Sequence, residues 1–127
     1  MDGPGPARYR PAMDWTKKKC VPCEGGVPAL PAARTRELLA TLDGWDLQGE
    51  RLHRHFRFKD FAAAMRFVNA MAALAEEEGH HPDFALHDWN LVDVTLWTHA
   101  IGGLSENDFI VAGKIDALPR AAPPEGA

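Results

Sequence analysis

The chain has 127 residues, 46% of them hydrophobic, and a formal net charge of −4 at neutral pH. That length fits one domain with a real core, yet a domain this small leaves much surface that other copies would help to cover. The acidic balance offers no basic stripe to follow a phosphate backbone, which excludes a general nucleic-acid binder, and no apolar stretch approaches the roughly 20 residues that span a bilayer.

The first residues, Met1-Asp2-Gly3-Pro4-Gly5-Pro6, lack the basic-then-apolar pattern of a secretion signal, so the expected compartment is the cytoplasm. Pro4, Pro6, Pro11, Pro22, Pro28 and Pro31 break up the first quarter of the chain. Residues 1–30 are therefore expected to form a flexible arm, with Lys17-Lys18-Lys19 solvated. Residues 119–127 form a similar tail, which leaves residues 31–118 as the folded domain.

Pro31 suits a helix start, and Leu38, Leu39 and Leu42 supply one apolar side for a short helix over 34–42. Asp43-Gly44 ends it. Residues 45–48 and 51–59 read as a hairpin turning at Gln48-Gly49-Glu50. On its second strand Leu52, Phe56 and Phe58 share one face while Arg51, His53, His55 and Arg57 share the other, the alternation of a half-buried antiparallel strand.

Asp60 is a fitting N-cap for the longest helix, 61–78. Phe61, Ala64, Met65, Val68, Ala72 and Ala75 make one apolar stripe at helical spacing, and Phe67, Met71 and Leu74 extend it around a second side. Two greasy sides require two partners, and a second copy of the chain is expected to be one of them. Gly79 closes the helix and Pro82 prevents it resuming. A short strand over 84–87, a turn at Asp88-Trp89-Asn90 and a clear strand over 91–99 follow. Ser105 then caps a last helix to about Leu118, helped by Glu106 and Asp108 in its first turn. The resulting fold is α+β: a four-stranded antiparallel sheet with three helices packed on one face, in the order α-β-β-α-β-β-α.

Three of the histidines, His80, His81 and His99, fall at element ends, where rigid backbone can hold reacting groups in register. An imidazole titrates close enough to neutrality to move protons both ways. Glu76 lies four residues before His80, within reach across one helical turn. Any one such histidine could merely satisfy loose carbonyls at a helix end; the three together point to a site. A zinc ion held by all three is disfavoured, because adjacent side chains in extended chain point to opposite faces. There is no phosphate-binding glycine loop and no dinucleotide fingerprint.

The stretch from Glu77 to Asp116, together with Glu76 before it, resembles the pterin-4a-carbinolamine dehydratase family. The residues that carry the resemblance are Glu76, His80, His81, Pro82, Trp89, His99 and Asp108. A weaker likeness extends over residues 31–118. It implies loss of water from a 4a-hydroxytetrahydropterin to give the quinonoid dihydropterin, with no metal or organic cofactor. It also implies that His80 and His99 do the acid and base work and that His81 positions the pterin. Glu76 and Asp108 would then orient or tune the imidazoles, while Pro82 and Trp89 shape the pocket. Family members assemble as homodimers or homotetramers, and some serve instead as RuBisCO assembly factors or transcriptional dimerisation cofactors. The pair Cys20 and Cys23 is unexplained: it supplies two ligands where a structural zinc takes four, and His53 and His55 are the residues that could add the rest.

Overall fold

The computed structural model describes residues 13–21 and 28–119. Three helices and one four-stranded antiparallel sheet make up the fold, in the expected order. They are α1 (Ala32–Leu39), β1 (Asp46–Gln48), β2 (Arg51–Arg57), α2 (Phe61–Glu78), β3 (Asp83–His87), β4 (Leu91–Leu96) and α3 (Glu106–Asp116). The sheet order is β1-β2-β4-β3, so β1 and β3 are its edges. Among the described residues no helix is long and apolar enough to cross a membrane.

Alternation along the strands makes one face of the sheet the floor of the core. Leu52 and Phe56 of β2 stand opposite Leu96 and Val92 of β4, and all four are buried. Leu38 of α1, Phe67 and Met71 of α2, and Phe109 and Ile115 of α3 pack onto this floor in one cluster. The other face carries His53, His55, Asp93 and Thr95 at the paired positions.

Local chemistry sets the ends of α2. The Asp60 carboxylate accepts from the Ala63 N–H at 2.8 Å. At the other end Gly79 takes a left-handed conformation, with φ 67°, and donates back to the Ala75 carbonyl, as a residue without Cβ does at little cost. In α3 the Asp108 carboxylate reaches back to the Ser105 N–H at 2.9 Å, half of a capping box.

Four expectations need revision. The first helix runs from Ala32 to Leu39 with Pro31 as its N-cap, and Leu42 is buried in the turn beyond it. The last strand stops at Leu96, so His99 does not end a strand. Thr98 pairs with Gly103 across a tight loop, and that closure curls His99–Ile101 into one turn of 3-10 helix.

The third revision concerns α2. Phe67 and Met71 are buried within the chain and Leu74 is partly buried, while Phe61 and Ala72 of the other stripe are exposed. The helix thus turns its second side inward, against the sheet and α3, and has no surplus there for a partner. Uncovered apolar surface lies on the edge strand β3 instead. Phe84 points to the core side of the sheet opposite Val94 yet is 49% exposed, because no helix reaches over it.

Finally, part of the segment read as an arm is docked. Trp15 is only 3% exposed. It stacks on Phe109 with ring centroids 6.2 Å apart, and its Nε1 donates to Thr41 Oγ1 at 2.8 Å. Gly113 makes the room: a Cβ there would lie 2.3 Å from the Trp15 Cβ. An isolated aromatic among prolines has no periodicity to announce that it is buried. Residues 1–12, 22–27 (with Cys23) and 120–127, including nearly all of the expected tail, lie outside the described residues.

Replacing Trp15 with alanine is expected to lower the unfolding free energy by about 3 kcal/mol, the scale for removing a buried aromatic. Gly113→Ala is expected to destabilise as well, although alanine is the better helix former, because it evicts the same ring. Urea denaturation measures both, and a Gly113→Ala protein as stable as its parent would show that Trp15 is not seated there.

Candidate active site

A cleft of about 550 Å³ opens where the end of α2, the end of β4 and the start of α3 meet. His80, His81, Pro82, Trp97, His99 and Cys20 are among the residues that line it. A second hollow of about 370 Å³, bounded by Leu30, Thr35, Leu47 and Leu104, is mostly apolar and holds no histidine. The first holds His80, His81 and His99 together.

His80 owes its position to Gly79. The left-handed glycine turns the chain off the helix axis, and the imidazole swings toward α3, where its Nε2 lies 2.7 Å from Asp108 Oδ1. Asp108 is 0% exposed. Its other oxygen accepts from Thr98 Oγ1 at 2.7 Å and from the Ser105 N–H at 2.9 Å. A carboxylate so placed holds the proton on Nε2 and leaves Nδ1 of a neutral His80 as the nitrogen with a lone pair.

Glu76 is not the partner of His80, as its spacing predicts, but of His81. Its Oε2 lies 2.6 Å from His81 Nε2, and both side chains are largely exposed. A spacing of four residues joins side chains only while the helix continues, and this one stops at Gly79. An exposed pair of this kind adds little stability, so it restrains a ring at the rim rather than bracing the fold. His99 sits across the cleft in its 3-10 turn and packs at a tilt of 51° against Trp97, with ring centroids 4.3 Å apart.

Trp89 falls elsewhere. It occupies the turn between β3 and β4, at the opposite end of the strand from Pro82, roughly 16 Å along at about 3.3 Å per residue. Its ring is 60% exposed and does not line the cleft of its own chain. Asp88 and Trp89 both adopt positive φ, 50° and 57°, within the three-residue loop Asp88-Trp89-Asn90 that joins His87 to its strand partner Leu91.

Two contributors escaped sequence reading. Trp97 is the wall against which His99 packs, and its Nε1 is the one buried side-chain nitrogen or oxygen without a hydrogen-bond partner among the described residues. The guanidinium of Arg51 lies over its ring at 4.0 Å. An aromatic on the polar face of a strand was the available signal. Cys20 is the other. Its N–H donates to Glu78 Oε1 at 2.9 Å, and Glu78 pairs with Lys114 Nζ at 2.5 Å. Burial works to raise the Glu78 carboxyl, but the Cys20 N–H and Lys114 hold it below the usual carboxylate range. Burial, and then the charge of Glu78, push the Cys20 thiol up to about 12, so at neutral pH it is a protonated wall residue and a poor nucleophile.

Residues 28–118 match the family model described as Pterin 4 alpha carbinolamine dehydratase. An Arabidopsis thaliana protein named pterin-4-alpha-carbinolamine dehydratase 2, mitochondrial, is 46% identical over 110 residues, which cover 83% of this chain and 59% of that longer one. A crystal structure of a transcriptional coactivator/pterin dehydratase from Brucella melitensis superposes with a TM-score of 0.66 at 41% identity, over 70% of this chain and 96% of that one. A pterin dehydratase-like protein identified as a RuBisCO assembly factor in the alpha-carboxysome gives a TM-score of 0.50 at 32% identity, over 58% and 87% of the two chains. With most of its length matched by the family model and the histidine cleft formed within that length, the chain belongs to the pterin 4 alpha carbinolamine dehydratase family.

Proposed function

We propose that the chain is a hydro-lyase that removes water from a 4a-hydroxytetrahydropterin to give the quinonoid dihydropterin. The observation that carries this reading is the buried Asp108 carboxylate that fixes His80 at the cleft, with His99 across from it. The reaction needs two proton transfers. One proton goes to the 4a-hydroxyl, which leaves as water, and one leaves N5 as the C4a–N5 bond becomes double. No electron is gained or lost.

His80 and His99 share these transfers. The Asp108 carboxylate fixes the orientation of the His80 ring, so that its other nitrogen is presented for proton transfer. His81, restrained by Glu76, positions the pterin at the rim. Pro82 shapes the floor of the cleft beside it, and Trp97 supplies a flat face toward the ligand. Trp89 has no part in the cleft of its own chain.

The chain is also inferred to be a homo-oligomer, a dimer or tetramer, assembled through β3. That edge strand offers unpaired backbone together with the exposed Phe84, and the exposed Trp89 stands at its end. A second reading, a partner-binding protein with an idle cleft, draws on the relative identified as a RuBisCO assembly factor. Turnover separates the two readings.

Purified protein is expected to dehydrate a 4a-hydroxytetrahydropterin, with His80→Ala and His99→Ala each slowing kcat by roughly 10²-fold or more. His81→Ala is expected to raise KM more than it lowers kcat. Asp108→Asn keeps the shape but not the charge and should lower kcat as well. Near-wild-type rates in both the His80 and His99 variants would sink the assignment, and no turnover by the parent would favour the partner-binding reading.

Light scattering at micromolar concentration is expected to show a dimer or tetramer, and Phe84→Glu to dissociate it, because an unpaired carboxylate is costly to bury. A parent protein that stays monomeric refutes the association.

A further inference from the structure

The polar face of the sheet holds a second cluster of ligating side chains, separate from the cleft. His53 and His55 are two residues apart on β2 and so project to the same face. The strand register sets Asp93 of β4 directly opposite His55. One donor atom from each of the three lies within 4.8 Å of the others. Donors on a single zinc ion at about 2.0–2.1 Å sit roughly 3.3 Å apart, so modest side-chain rotation closes the set.

We propose that His53, His55 and Asp93 form a divalent-metal site on the open face of the sheet, of the class that takes Zn²⁺. The two rings are already turned edge to face, with centroids 4.4 Å apart and planes at 78°. His53 is only 7% exposed although its face is otherwise open to water, so it is a held imidazole and not a waving surface one. The Gln48 amide lies 3.2 Å from His53 Nδ1, and His87 Nε2 lies 2.9 Å from Asp93 Oδ2. Contacts of this kind orient metal ligands from outside the coordination shell. Asp93 Oδ1 then faces His55 Nδ1, with which it forms a hydrogen bond when no ion intervenes.

Two imidazole nitrogens and one carboxylate oxygen suit Zn²⁺, Cu²⁺ or Ni²⁺ and disfavour Mg²⁺ and Ca²⁺, which take oxygen. The exposed side of His55 leaves a fourth position for water. The ion would clip β2 to β4, so its binding reads out as stability. Neither Cys20 nor any residue of the cleft belongs to the cluster, and the site stands or falls independently of the dehydration.

The test uses the full chain, stripped with a chelator and titrated with zinc chloride by calorimetry. One saturable equivalent is expected, with a rise in Tm, and none with magnesium chloride. His55→Ala and Asp93→Asn should each weaken zinc binding by about tenfold or more, and His87→Ala by about tenfold. His55 is exposed, so its loss spares the fold. The double variant His80→Ala with Cys20→Ser should bind zinc as the parent does. In proton spectra zinc should move the rings of His53 and His55 and leave His80 and His99 in place. Absence of saturable zinc binding overturns the proposal, as does binding that survives His55→Ala and Asp93→Asn or disappears in the His80–Cys20 double variant.

Discussion

The Asp108 carboxylate is wholly buried and accepts hydrogen bonds from three different parts of the chain. Its Ser105 contact starts α3, its Thr98 contact closes the loop beyond β4, and its His80 contact aims an imidazole into the cleft. A buried carboxylate with no partners would cost several kcal/mol. With donors at both oxygens it instead requires each partner to be where it is, since removing any one leaves the charge undercompensated. Fold and site are thus coupled through one side chain: the loop that presents His99 is pinned by the group that holds His80.

The sheet separates two chemistries. Its inner face is a continuous apolar floor from Leu52 to Leu96, onto which α1, α2 and α3 pack. That packing is dense enough that Trp15, at the start of the one-turn 3-10 helix Trp15–Lys17, is admitted only where Gly113 lacks a Cβ. The outer face carries imidazoles and a carboxylate in register. A strand can serve both because its side chains alternate, so hydrophobic burial on one side leaves composition on the other free for binding.

The matched solved relatives include one described as both a transcriptional coactivator and a pterin dehydratase and one identified as a RuBisCO assembly factor, so this fold is associated with more than one role. In this chain the distinctive features outside the cleft are the β3 edge, with exposed Phe84 and Trp89, and the docked segment around Trp15. None of them overlaps the His80–Asp108 pair.

Much was decided locally. Asp60 and Gly79 bound α2 through a side-chain cap and a left-handed stop, and alternation on β2 and β4 assigned each residue to a face, so element order and α+β class were legible in the sequence. The histidines, too, were legible as residues at element ends. Which groups they meet was not. Helical spacing pairs Glu76 with His80, yet the turn at Gly79 gives Glu76 to His81 and sends His80 to Asp108, 28 residues along the chain. The second apolar side of α2 reads as an interface until α3 covers it, and Trp89 reads as a pocket residue until β3 carries it to the far end of the sheet. Trp15 and Cys20 gave no periodic signal at all. Periodicity and capping act between neighbours in sequence, whereas partnership and burial depend on which elements pack together, and that is set only when the whole core closes.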